Sequence, residues 1–166
     1  WLAAWRLNPD RPSDALLQVG KAGGAEEGVR SLGLEEQREA AHQCALLRLE
    51  AVDNGGCEVT SQDVLDVLRL WGFEENRARG NVFPPGWTSV LSNTMGLIKM
   101  KDGMLRLSDC AQEYPGVMAL FSSWFKACMH AWEVKGGFTS VAMNAGYSAR
   151  VQRDGNNVGP SAGQAF

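Results

Sequence analysis

The chain has 166 residues, of which 45% are hydrophobic and 21% charged, and a formal net charge of -3. That is enough apolar material for one globular core, and the acidic total excludes a protein whose whole surface attracts nucleic acid, although a basic patch can sit on an acidic chain. Cys44, Cys57, Cys110 and Cys128 form no CxxC pair, so neither a zinc spacing nor a compact disulfide framework is expected; reduced core thiols suit an intracellular protein better than a secreted one.

Residues 1–33 read as an N-terminal arm. They hold Trp1, Trp5, two prolines and the run Lys21-Ala-Gly-Gly-Ala-Glu-Glu-Gly28, a mixture that breaks regular structure. A short helix is expected from Ser13 to Val19, with Trp1 and Trp5 anchoring the arm to its own domain or to a partner. No charged stretch followed by an apolar run opens the chain, so no secretory signal is expected.

A helix is predicted over Leu34 to Asn54, where Ala40, Cys44, Leu47 and Ala51 recur at helical steps and Leu34, Ala41 and Val52 widen the stripe. Arg48 lies at its edge, stem on the core and head in water. Gly55-Gly56 ends this helix. After the extended Cys57-Glu58-Val59, Thr60 with Asp63 caps a second helix carrying Val64, Leu65, Leu68 and Trp71 inward and stopping at Gly72.

Pro84-Pro85 suits a helix entry, and a third helix is expected over Pro85 to Met95. It would bury Trp87, Val90, Leu91 and Met95, turn Thr88, Ser89, Ser92 and Asn93 to solvent, and stop at Gly96. Leu97 to Lys101 then meets Met104 to Leu107 across Asp102-Gly103, a dipeptide that accepts the backbone angles of a tight hairpin. Folding on that turn pairs Met100 with Leu105, Ile98 with Leu107, and Lys99 with Arg106, the last a mildly unfavourable like-charge pair.

Ser108-Asp109 reads as a cap, and Pro115 leads an apolar helix to about Val134 with Val117, Phe121, Trp124, Cys128 and Trp132 on one stripe. Lys126, His130 and two serines interrupt it, so it is expected to be a packing or dimerisation helix (residues 109–135) and not a membrane span. Phe121, Trp124, Cys128 and Trp132 are its candidate interface, covered by the rest of the chain or by a second copy. Residues 136–166 form a glycine-rich tail suited to loops.

Helix, short strand, two helices and a hairpin, carried by GCEVTSQDVLDVLRLWGF and PPGWTSVLSNTMGLIKMKDGMLRLSD, resemble the winged-helix variant of helix-turn-helix proteins over residues 34–108. The expected fold class is therefore mainly α: three helices and a β-hairpin wing, with a long C-terminal helix and irregular ends. The resemblance implies that the third helix reads a DNA groove and that the wing touches the backbone. Charge supports a polyanion partner: residues 76–108 hold five basic residues against Asp102, whereas 57–75 hold five acids against Arg69. The candidate nucleic-acid residues are Arg77, Arg79, Thr88, Ser89, Ser92, Asn93, Lys99, Lys101 and Arg106.

No GxSxG, GxxxxGK[ST], HExxH or calcium-loop pattern occurs, and His42 and His130 fall on different helices without ligand-like neighbours. A non-enzymatic chain with no cofactor, metal or small-molecule substrate is expected. Two functions follow: a nucleic-acid-binding protein, such as a small regulator or replication accessory factor, or a subunit of a larger assembly that uses the same domain and its extensions for protein contacts.

Overall fold

The computed structural model describes residues 32–78, 83–100, 102–131 and 138–146, without the side chains of 129–131. The N-terminal arm and the helix expected at 13–19, Arg79, Lys101, Trp132, the His130 side chain and the tail beyond residue 146 lie outside the described residues.

Helix α1 spans Leu34–Asp53. The Glu36 carboxylate accepts the Gly33 N–H at 2.8 Å, satisfying one donor at the helix entry. At the exit, Gly55 takes φ +90° and donates to Val52 O at 3.0 Å, while Gly56 donates to Ala51 O at 2.9 Å. This paired termination needs the left-handed residue that glycine supplies, as the sequence indicated. The buried face, however, is Arg38, Ala41 and Ala45, with Leu49 and Val52 partly covered, and Leu47 is 67% exposed. Small residues decide this rotation, because α1 and the last helix approach closely: a Cβ on Gly116 would sit 2.9 Å from the His42 ring and from Leu46. At this contact Gly116 N–H donates to His42 Nδ1 at 3.2 Å.

Helix α2 spans Ser61–Leu70 and opens with the expected reciprocal cap: Thr60 N–H donates to Asp63 Oδ2 at 2.7 Å and Asp63 N–H to Thr60 Oγ1 at 3.3 Å. Val64, Val67 and Leu68 are buried. Arg48 does more than reach water. Its Nη2 donates to the carbonyls of Cys57 and Glu58 at 3.1 and 3.0 Å, and its Nε lies 2.8 Å from Asp63 Oδ1, tying α1 to the α2 entry.

Helices α3, Asp109–Glu113, and α4, Pro115–Ala131, follow the sheet strands described below. On α4, Val117, Leu120, Phe121 and Trp124 recur at helical steps and are all buried, packed among Ala41, Ala45, Val64 and Leu68 of α1 and α2. Each large side chain removed from water in this way contributes about 1.5–3 kcal/mol. Trp124 Nε1 donates to Ser61 Oγ at 3.2 Å, so its polar edge is also used.

The segment read as a third helix is a turn leading into a strand, and this overturns the expected fold class. Trp87 N–H donates to Pro84 O at 3.1 Å with Gly86 at φ +83°, so Pro84-Pro85-Gly86-Trp87 forms a turn with proline second and a left-handed glycine third. That turn closes the helical route, and the following β-branched Thr88, Val90, Thr94 and Ile98 favour an extended chain. Strand β2, Val90–Lys99, is the hub of a four-stranded antiparallel sheet with β1 (Glu75–Asn76), β3 (Leu105–Leu107) and β4 (Ser140–Ala145).

β4 runs beside Leu91 to Gly96, opposing Asn93 to Met143 and Met95 to Val141, and Met95, Val141 and Met143 complete the helical core. Gly96 does not stop a helix but lies inside β2 at φ +101°, where a Cβ would meet Thr139 O at 2.3 Å. Trp87, expected to anchor the core, is 50% exposed, and Leu91 is exposed as well. The fold is α/β rather than mainly α, and its element order does not identify a winged helix. β4 comes from the stretch read as an irregular tail, and one core draws on residues from both sides of the expected 108/109 boundary.

Candidate functional site

Two arrangements of polar and apolar side chains stand apart from the core. The first is the β2–β3 hairpin. Its turn bonds are Gly103 N–H to Met100 O at 2.9 Å and Met100 N–H to Met104 O at 2.8 Å, with Gly103 at φ +85° and Asp102 Oδ1 accepting the Met104 N–H at 2.9 Å. The left-handed glycine thus sits last in a three-residue loop, not in the two-residue turn that the Asp-Gly pair suggested. The register moves by one residue: Leu97 opposes Leu107, Ile98 opposes Arg106, and Lys99 opposes Leu105.

This slip separates the charges. Lys99 and Arg106, expected to face each other, stand on opposite faces of the hairpin, which avoids the like-charge pair. Between Leu97 and Leu107 every described residue except Ile98 is exposed. Leu97, Met100, Met104, Leu105 and Leu107 are all exposed large apolar side chains, Leu105 by 64% and Met104 by 57%. Leu97, Leu105 and Leu107 share one face, and Met100, Met104 and Ile98 the other.

The second arrangement is a buried polar network that the sequence reading missed. Arg38 reaches from α1 to donate to Gly72 O at 2.9 Å, pairs with Glu74 Oε1 at 3.1 Å, and lies 5.1 Å from the centre of the Trp71 ring. Asn93 Oδ1 accepts from Trp71 Nε1 at 3.1 Å and Glu74 N–H at 3.3 Å, and Asn93 Nδ2 donates to Glu74 Oε2 at 3.4 Å. Trp71 meets Tyr114 edge to face at 5.4 Å. The network joins α1, β2 and the α2–β1 connection. The available signal was Arg38 itself, three and seven residues before Ala41 and Ala45, on the stripe that α1 buries.

The candidate nucleic-acid residues do not gather on one helix face. Asn93 is 7% exposed and committed to the network, Ser89 and Ser92 are half-buried, and Thr88 is exposed in the connection before β2. Arg77 pairs with Glu75 at 2.8 Å. Arg38, Arg48 and Arg69 are likewise paired with acids, so the charge blocks read from the sequence partly cancel. Lys99 and Arg106 make no ion pair among the described residues and share the hairpin with its leucines and methionines.

Of the expected interface, Phe121 and Trp124 are 0% and 2% exposed within this single chain, and Cys128 is half-buried against the same core. Burial pushes the Cys44, Cys110 and Cys128 thiols up, with Arg38 pulling the other way on Cys110, and Cys57 is exposed. No group of three metal-ligating side chains occurs among the described residues. An open cleft of 340 Å³ beside the α1 exit and α4 offers only Glu58, Lys126 and Ser123 as polar side chains. No helix among the described residues is long and apolar enough to cross a membrane. Comparison with protein-family models, with curated proteins and with solved structures finds no match for this chain.

Proposed function

We propose that this chain is a protein-docking module whose contact element is the β2–β3 hairpin. The observation that carries the reading is the set of five exposed leucine and methionine side chains on that hairpin, bordered by Lys99 and Arg106. Exposed apolar side chains on both faces of one hairpin, leucines beside Lys99 on one and methionines beside Arg106 on the other, favour burial against another protein, with the cations steering the encounter. Methionine adds adaptable contact. The nucleic-acid alternative has less support, since its reading helix is a strand and Asn93 is buried.

The test is a pair of binding measurements on wild type and a Leu105→Thr, Met104→Thr variant. A partner captured from the source cells by wild type, and lost by a variant with unchanged melting, supports docking. Both exchanges lie on an exposed edge and should change stability by about 0.5 kcal/mol or less. Titration with generic duplex supplies the contrary outcome: binding with a steep salt dependence that Lys99→Ala and Arg106→Ala flatten, and that the apolar exchanges leave intact, would overturn the proposal.

A further inference from the structure

The outer edge of β3 combines unpaired backbone with a specific order of side chains. Met100 N–H bonds to Met104 O, and Ser108 N–H bonds to Gly96 O at 2.8 Å, which places the even-numbered residues of this ladder in its hydrogen-bonded pairs. Leu105 and Leu107 therefore turn their backbone groups outward. The Leu107 carbonyl is taken by Gln112 Nε2 at 3.0 Å, but Leu105 N–H, Leu105 C=O and Leu107 N–H have no partner among the described residues. Along the edge the side chains alternate Leu105, Arg106, Leu107, two apolar groups on one face and a cation on the other.

We propose, building on the docking function above, that the β3 edge receives an extended segment of a partner protein in which apolar and acidic residues alternate. The added strand bonds to Leu105 and Leu107 through its backbone, sets apolar side chains beside theirs, and places a carboxylate beside Arg106. Charge selects this occupant over a second copy of the chain. Self-pairing of β3 in the antiparallel register that uses both outward residues sets Arg106 opposite Arg106, a repulsive pair. An acidic residue at that position turns repulsion into attraction.

The experiment titrates the full chain into a labelled short peptide alternating valine and glutamate, followed by fluorescence anisotropy, with a valine–lysine peptide as the comparison. Wild type should bind the glutamate peptide in preference. Arg106→Glu should weaken that binding roughly tenfold and reverse the preference, from the change of one cross-strand charge pair. Leu105→Pro removes an outward N–H at a sheet edge, where proline is tolerated, and should abolish binding while the melting transition persists. Methylating alternate backbone nitrogens of the peptide should do the same without altering the protein.

Equal binding of both peptides, or undiminished binding of the methylated peptide, would overturn strand addition. If the glutamate peptide fails to bind while the Leu105→Thr, Met104→Thr variant still loses the captured partner, the β3 edge proposal falls and the docking function stands. If partner capture is also indifferent to the hairpin, both fall. A wild-type dimer that Leu105→Pro dissociates, with no peptide binding, would assign the edge to a second copy and overturn the proposal.

Discussion

Replacing Asn93 by alanine separates a buried network residue from a solvent-facing one, because the two placements differ severalfold in cost. Asn93 Oδ1 is the acceptor for Trp71 Nε1 and for the Glu74 N–H, at 3.1 and 3.3 Å. Trp71 is 3% exposed, so its indole donor would be left in a site poorly reached by water, whereas Glu74 is exposed and its N–H can be partly rehydrated. Leaving a buried donor unsatisfied costs about 1–3 kcal/mol, and loss of the second bond adds roughly 1 kcal/mol. The expected destabilisation is thus about 2–4 kcal/mol, against about 0.5 kcal/mol for a surface exchange. Urea denaturation at neutral pH, followed by tryptophan emission and far-ultraviolet dichroism, reads it directly. A loss below about 0.5 kcal/mol with an unchanged denaturant slope would refute the network and return Asn93 to the surface.

Asp63 supplies a pH dependence: burial raises its carboxyl, but the two Thr60 hydrogen bonds and the Arg48 charge outweigh this and hold it below the ordinary carboxylate range. Its stabilising contribution is therefore complete above that range and is lost as pH falls through the lowered value, and Asp63→Asn should flatten that part of an acid titration of stability; an identical acid limb in the variant would count against the cap. Gly96→Ala places a methyl 2.3 Å from Thr139 O on a residue at φ +101°, so a loss above about 2 kcal/mol is expected in denaturant melts, and a neutral result would show that β4 does not lie there. Phe121→Ala should cost about 3–5 kcal/mol, independent of protein concentration because Phe121 is covered within its own chain; a midpoint that moves with concentration would instead indicate an intermolecular cover.

How legible the sequence was depended on whether a local signal had a competitor. Gly55-Gly56 and Thr60 with Asp63 were readable because each motif satisfies named backbone groups within a few residues, and the structure forms both. On α4, Val117, Phe121 and Trp124 were readable because they recur at helical steps and are buried, while Leu120, not read as part of the stripe, joins them. Pro84-Pro85 was ambiguous: proline fits a helix entry and the second position of a turn equally, and Gly86 at φ +83° decided for the turn. Once the helix was assumed, Trp87 was placed inward and Asn93 outward, the reverse of what the strand requires. On α1 the period was right and the phase only in part: Ala41, Cys44 and Val52 face the core as expected, but hydrophobicity favoured Leu47, whereas the close approach of α4 buries Ala45 and turns Leu47 out.

The hairpin shows why charge and turn chemistry must be read together. Asp-Gly allows either a two-residue or a three-residue loop, and the two differ by one residue in register. The shorter loop sets Lys99 against Arg106; the longer one gives each cation an apolar neighbour. Local turn preference alone does not choose between them, but repulsion across the ladder does. The chosen register has a consequence for binding, since it puts Leu105 and Leu107 on one face with Leu97 and makes Arg106 the one β3 residue on the other, beside Ile98 and the methionines. A three-residue strand with a central cation is a poor template for its own copy, which lets the chain expose five large apolar side chains without inviting edge-to-edge pairing. Gln112 of α3 holds the Leu107 carbonyl, and Ser108 N–H holds Gly96 O, so the edge is tied at its base to a buried glycine of β2. The apolar surface is therefore fixed in position by the core while remaining uncovered by it, which is the arrangement that recognition by strand addition requires.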